Sequence, residues 1–182
     1  MVLSSLEDKP GTLVTSNLGD EMERMVVSGV TSDKNQAKVT LREIPDQPGI
    51  AAELFTSLAE ANVNIDMIVQ NAGTNGIANI SFTVGKTELN LSLEVAKKLG
   101  TKFGNFKIES DEDIAKVSIV GVGMKSHSGV ASTMFQTLSD NNINIMMIST
   151  SEIKVSCVIE EKFAELAVRV LHDAFLGEDA AV

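Results

Sequence analysis

The chain has 182 residues, of which 43% are hydrophobic, 22% charged and 4% aromatic, and its formal net charge is −10. This acidity disfavours nucleic-acid binding, which needs a surface rich in Lys and Arg, and the single cysteine, Cys157, excludes an internal disulfide framework. Because there is no signal-peptide pattern and no apolar run long enough to span a membrane, we expect a soluble, cytoplasmic protein whose length suits two small domains.

The first half of the chain predicts strands separated by helices. Residues 25–31 and 37–44 are short and rich in β-branched side chains, as strands are. Apolar residues then recur at helical spacing, at Ile50, Leu54, Phe55 and Leu58. Two strands follow, with inward apolar residues at Val63, Ile65, Met67 and Val69, and then at Ile80, Phe82 and Val84. A helix over residues 89–99 and a strand over residues 105–109 complete the order βαββαβ. This order is typical of a ferredoxin-like α+β unit, an antiparallel sheet with helices on one face.

The second half repeats these elements. Four matched segments lie 78, 80, 80 and 75 positions apart, so the insertions fall in turns, which indicates a duplicated module. The matched pairs are residues 37–40 and 115–118, 48–51 and 128–131, 62–65 and 142–145, and 80–82 and 155–157. We therefore predict two tandem modules, each with its own antiparallel sheet.

The second copy lacks one strand, because its last helix, predicted over residues 162–175, is followed only by a short acidic stretch. Residues 25–31 have strand character but no counterpart in the first copy, so we predict that they complete the second sheet. The predicted organisation is an N-terminal segment 1–24, a strand and linker 25–36, a first module 37–112, a second module 113–176 and an acidic tail 177–182.

No catalytic or metal-binding constellation stands out in the sequence. His127 and His172 have no second His or Cys at metal-ligand spacing, and no nucleophile, base and acid converge. We predict no catalytic residue, metal or cofactor in this chain.

A polar constellation does recur near the first turn of each module. The N-terminus of the first helix offers free N–H groups to a carboxylate, and Asp46 is placed to pair with an ammonium group. Amides are available to bind a short polar side chain, at Gln70, Asn71, Asn142 and Asn144. Together these groups match a free α-amino acid, although Asp46 and Asn64 could instead serve only to shape turns.

Several long segments resemble the ACT modules of bacterial aspartokinases. The sequences IPDQPGIA at residues 44–51 and NIDMIVQN at residues 64–71 resemble the first module, and VSIVGVGMKSH at residues 117–127 with ISTSEI at residues 148–153 resembles the second. Residues 1–24 resemble the end of the catalytic domain. The resemblance implies the regulatory (beta) subunit or C-terminal regulatory region of an aspartokinase, which phosphorylates L-aspartate with ATP. The ATP and Mg²⁺ sites would then lie in a catalytic (alpha) subunit or domain outside this chain.

The same resemblance implies feedback inhibition by L-threonine, L-lysine or both, and a homodimer formed through ACT modules, with no nucleic acid or membrane partner. It implies a first effector site at Asp46, Gly49, Ala51 and Gln70, with Asn142, Asn144 and Ile145 from another module. It implies a second site at Asp66, Met124, Ser126, His127, Gly129, Val130, Ala131, Ser149, Ser151 and Glu152. Ser128 departs from the proline usual in this family, which leaves the effector preference of the second site less defined.

Other interpretations stay open. An ACT regulatory subunit of another biosynthetic enzyme, such as acetolactate synthase, is disfavoured by the tandem pair and by the turn at residues 46–49. An RNA-binding βαββαβ domain would need exposed aromatic residues and a basic face. A complete enzyme would need the acid, base and nucleophile that the sequence does not bring together.

Overall fold

Six strands and four helices make up the part of the chain that the structure, a computed structural model, describes: residues 26–73, 75–104, 106–122 and 129–177. In chain order they are β1 (Gly29–Pro45), α1 (Ile50–Glu60), β2 (Ile65–Ala72), β3 (Ile77–Val84), α2 (Leu89–Phe103), β4 (Lys107–Val120), α3 (Val130–Asp140), β5 (Met147–Ser151), β6 (Lys154–Glu160) and α4 (Ala164–Leu176). The predicted α+β fold of two tandem ferredoxin-like modules is confirmed. The segment 1–24 and residues 178–182 of the predicted tail lie outside the described residues.

The strands form one antiparallel sheet in the order β2-β3-β1-β4-β6-β5. The first half, with α1, α2, β2 and β3, and the second half, with α3, α4, β5 and β6, share the two long central strands. Strand β1 has 17 residues and β4 has 14, so each runs through both halves. Residues 29–33 of β1 pair with residues 116–120 of β4, and residues 38–42 pair with residues 107–111.

This arrangement differs from the two separate sheets that the sequence predicts. The strands predicted at residues 105–109 and 115–122 both overlap the single strand β4, and residue 105 lies outside the described residues. Residues 32–36, expected to be a linker, lie within β1. Two β-bulges make the continuity possible, since each absorbs one extra residue without ending the pairing. At one bulge the backbone N–H of Asn35 donates to Asp33 Oδ1 at 2.9 Å, and at the other that of Asp113 donates to Asp111 Oδ1 at 3.1 Å.

Each half buries one side of its strands beneath its own helices. In the first half the helices contribute the apolar stripes predicted from spacing, with Ile50, Leu54 and Leu58 of α1 packed on Val39 and Phe82 of the sheet. The second half matches it with Val130, Met134 and Leu138 of α3, and with Val117, Cys157 and Leu171. Val26 and Val27 are buried in this second core, ahead of the residues that pair with β4.

A third, smaller cluster lies on the helix-free side of the sheet. It consists of Met67, Ile114, Met147 and Val158, which come from both halves. Strands β2 and β5 touch each other although they are the two ends of the strand order, so the sheet curls until its edges meet. Among the described residues, no helix combines the length and apolar character needed to cross a membrane.

Deletion of residues 1–32 is expected to destabilise the second half more than the first. The deletion removes the buried side chains of Val26 and Val27, which contribute about 3 kcal/mol together, and most of the pairing with residues 116–120 of β4. Backbone amide hydrogen exchange should therefore accelerate more in β6 than in β3. Deletion of residues 1–24 alone is the matched control, and equal acceleration in both strands would contradict the prediction.

Candidate effector site

The predicted first site forms around the turn that connects β1 to α1. Asp46, Gly49, Ala51 and Gln70 line one cavity of about 280 Å³, together with apolar side chains that include Ile80. Gly49 precedes α1 with a φ of 101°, a left-handed conformation that favours glycine, and no side chain caps the helix. The first N–H groups of α1 are therefore left for a ligand, and an anionic group would be favoured there.

Asp46 lies across this turn from the start of α1. Its backbone N–H donates to the carbonyl oxygen of Gly76 at 2.9 Å, which ties the turn to the loop before β3. Asp46 is exposed, and within the described part of the chain no group is hydrogen-bonded to its carboxylate. Gln70 reaches the cavity from β2, where it pairs with Ile80 of β3. The cavity thus has hydrogen-bond donors at the start of α1, a carboxylate at Asp46 and an amide at Gln70.

The remaining three residues of the predicted first site lie elsewhere in the chain. Asn142, Asn144 and Ile145 line a separate cavity of about 450 Å³ beside Phe135 of α3. Asn142 has a φ of 55°, and its counterpart Asn62 in the first half has a φ of 57°. Asparagine tolerates this conformation better than most residues, so Asn142 has a role in ending α3 whether or not it contacts a ligand.

The predicted second site is only partly described. Met124, Ser126 and His127 lie outside the described residues, while Gly129, with a φ of 107°, precedes α3 as Gly49 precedes α1. Val130 is buried and Ala131 half-buried in the first turn of α3, and Glu152 is exposed after β5.

Strand pairing separates the serines of β5 from that helix start. Ser149 pairs with Ser156 of β6, and Ser151 pairs with Lys154. The alternate residues of β6, Val155 and Cys157, belong to the core beneath α3 and α4. Ser149 and Ser151 therefore lie on the helix-free side. Thr150, which pairs with Val155, lies on the helix side in the position equivalent to Gln70, and the 80-residue offset could have identified it.

Asp66, also predicted for the second site, has a structural partner that the sequence analysis did not predict. Its carboxylate pairs with the ammonium group of Lys116, a residue of β4 whose side chain is only 11% exposed. The pair joins β2 of the first half to a strand of the second half. Asp66 therefore helps to hold the halves together.

Two observations concern the other reactive side chains of the described residues. Burial raises the pKa of the Cys157 thiol to about 12, so it is not a nucleophile near neutral pH. Within the described residues, no group of three or more His, Cys, Asp or Glu side chains is placed to hold a metal ion.

Comparisons with known proteins identify the family to which the two modules belong. A sequence model of the ACT domain family matches residues 42–98 and 117–175. An aspartate kinase of Stutzerimonas stutzeri is 49% identical over 174 residues, which are 96% of this chain and 42% of that protein. The chain therefore spans less than half the length of the curated relatives that it matches.

Two solved structures match nearly their whole length. A chain in the crystal structure of aspartokinase alpha and beta subunits is 48% identical, with a TM-score of 0.77, and the match covers 82% of this chain and 98% of that one. The ligand-free regulatory subunit of aspartate kinase from Thermus thermophilus is 41% identical, with a TM-score of 0.78, over 82% of this chain and 99% of that one. The chain belongs to the ACT domain family, among the regulatory ACT proteins of aspartokinases.

Proposed function

We propose that this chain binds L-threonine in the cavity between Asp46 and the start of α1, and thereby inhibits the aspartokinase to which it belongs. The observation that carries the proposal is the combination of an uncapped helix N-terminus with the Asp46 carboxylate, which has no partner among the described residues, across a cavity of about 280 Å³. A free amino acid has the complementary charges, since its carboxylate suits the N–H groups and its ammonium group suits Asp46. The amide of Gln70 is available to the threonine hydroxyl.

L-lysine is the second effector that we propose, at this site or at the start of α3. A lysine side chain would extend beyond the first cavity, towards residues supplied by another module. Asn142, Asn144 and Ile145 line a cavity of their own in this chain, so they would complete the first site only when a second copy is present. We therefore propose that the effector binds between two copies and that the working unit is a homodimer.

Inhibition would follow from a shift in population. An effector that binds the paired arrangement of modules more tightly than other arrangements favours that arrangement. The catalytic subunit or domain, which would carry the aspartate, ATP and Mg²⁺ sites, is then biased towards an inactive orientation by about 1–3 kcal/mol of coupling. A cytoplasmic setting stays a prediction, which the single cysteine suits.

Asp46→Ala is expected to weaken threonine binding by about tenfold or more, because a charge-assisted hydrogen bond to the ammonium group contributes about 1.5–3 kcal/mol. Calorimetric titration with threonine and lysine, alone and together, measures the effect. Glu60→Ala is the control, since Glu60 ends the same helix at the end remote from the cavity.

Unchanged affinity in Asp46→Ala would contradict the assignment of the site. No heat with either amino acid would contradict the proposed function. Heat with branched-chain amino acids only would instead favour the regulatory subunit of another biosynthetic enzyme.

A further inference from the structure

Two lysines of the shared strands occupy equivalent positions in the two halves. Lys38 of β1 and Lys116 of β4 are 78 positions apart in the repeat, and both lie on the helix-free side of the sheet. Each has an aspartate opposite it on the neighbouring strand, Asp111 for Lys38 and Asp33 for Lys116. Matching hydroxyl pairs complete the likeness, Thr40 with Ser81 at 3.0 Å and Ser118 with Ser156 at 2.8 Å.

The equivalence fails at one position. Lys116 has a further carboxylate, that of Asp66, in direct contact with its ammonium group. The residue equivalent to Asp66, 80 positions later, is Met146, whose Sδ lies 3.8 Å from Lys38 Nζ. Lys38 Nζ is also 3.8 Å from Asp111 Oδ2, which is beyond hydrogen-bond distance. The Lys38 side chain is only 21% exposed, so a largely buried cation lacks the close carboxylate that its counterpart has.

Beside Lys38 lies a cavity of about 510 Å³ between the two halves. Arg42 adds a second cation to its lining, and the Nε of this arginine donates to Glu109 Oε2 at 2.7 Å. The apolar part of the lining comes from β2, from the segment that leads into β5 and from the start of β5, with Val69, Ile145 and Met147. No Asp or Glu of the described chain lines this cavity. It therefore places two cationic side chains, whose carboxylate partners Asp111 and Glu109 lie outside the lining, beside an apolar wall.

We propose that this cavity binds a small carboxylic acid without an α-amino group, whose carboxylate pairs with Lys38 as that of Asp66 pairs with Lys116. The short apolar chain of the acid packs against Val69 and Ile145. An α-ammonium group is disfavoured because it would lie close to Lys38 and Arg42. The site is separate from the cavity at Asp46, although Ile145 was also assigned to that effector site from the sequence, and it does not depend on the proposed function.

A ligand in this cavity would lie between the two edge strands of the sheet, β2 and β5. The cavity is closed on one side by residues of β2 and on another by the start of β5, the two edge strands that touch. A bound acid contacts both edge strands and so stabilises the contact between them. The free energy of this stabilisation depends on the affinity and the concentration of the acid. Its occupancy would then raise the thermal stability of the whole chain.

The test uses methyl NMR of the full chain labelled at its methionine methyl groups, with Met146 and Met147 as reporters of the cavity. Butyrate is expected to shift both signals saturably, at millimolar concentration. Two compounds serve as comparisons: 2-aminobutyrate, which differs from butyrate only by its ammonium group, and inorganic phosphate. Neither is expected to shift these signals comparably. Repeating the titration in Asp46→Ala removes any contribution from an amino acid bound at the other site.

Two variants test the role of Lys38. Lys38→Met keeps the length of the side chain but removes its charge, and it is expected to weaken butyrate binding by about tenfold or more. Met146→Asp places a carboxylate where the other half has Asp66, so it is expected to pair with Lys38, raise the midpoint of thermal unfolding and abolish the butyrate shift of Met147.

The proposal is overturned by any of three results. These are the absence of saturable shifts with butyrate, equal shifts with 2-aminobutyrate or phosphate, and butyrate binding that persists in a folded Lys38→Met or Met146→Asp chain.

Discussion

Gly121→Ala is expected to lower the free energy of unfolding by about 3 kcal/mol, at the upper end of the range for overpacking. A Cβ atom at Gly121 would lie 2.0 Å from the carbonyl oxygen of Val26 and 2.7 Å from the Cα of Val27. Both atoms belong to the backbone, so no side-chain rotation can relieve the clash. Gly121 cannot easily withdraw either, because its N–H donates to the carbonyl oxygen of Ile153 at 3.0 Å.

The clash should therefore displace the segment that carries Val26 and Val27 from the second core. Urea unfolding measures the loss, and amide exchange in β6 locates it. Gly29→Ala is the matched control: Gly29 pairs with Val120 beside the same segment, and an added Cβ there meets only Val120 Cγ2, at the ordinary contact distance of 3.5 Å. Equal losses in the two variants would show that the close approach at Gly121 does not position the segment.

The sequence predicted the modules well because each depends on local periodicity. The stripes of α1 and α3 recur at identical spacing, and the helices begin directly after Gly49 and Gly129, as the repeat requires. The continuity of β1 and β4 was missed for a physical reason. Asp33 and Asp111 lie in polar runs that are typical of turns, yet each side chain accepts a hydrogen bond from an N–H two residues later, and the strand continues through a bulge.

The candidate site was predictable to the extent that it is local. Asp46 and Gly49 belong to one turn. The alternation of apolar residues did not predict the side on which Gln70 lies, because a register shift between Ile65 and Ile68 turns Met67 and Val69, predicted to face the same way as Ile65, to the helix-free side of the sheet. On β5, the sequence-based prediction named Ser149 and Ser151, which lie on the helix-free side, whereas Thr150 lies on the side of α3, because a shift of one residue reverses the side of a strand. Contacts such as that of Lys116 with Asp66 join residues 50 positions apart, and no local pattern records them.

Phe82→Ala is expected to lower the free energy of unfolding by about 3–5 kcal/mol, the range for removing a buried aromatic side chain. Phe82 is fully buried at the centre of the first core, where its ring meets that of Phe55 edge to face at a centroid distance of 5.8 Å. Its counterpart in the second half is the much smaller Cys157, which is also fully buried. Cys157→Ala should therefore lower the free energy of unfolding by only about 1 kcal/mol, as other one-atom deletions do.

Cys157 also reports whether the two halves unfold together. Its buried thiol, with a pKa of about 12, can react with a thiol reagent only when the second half opens. Because β1 and β4 belong to both cores, loss of the Phe82 side chain in the first half should also lower the free energy of opening the second half. A decrease of about 3 kcal/mol in that free energy corresponds to modification of Cys157 about 100-fold faster. An unchanged rate of Cys157 modification in Phe82→Ala would mean that the halves open independently, and that the shared strands do not couple them.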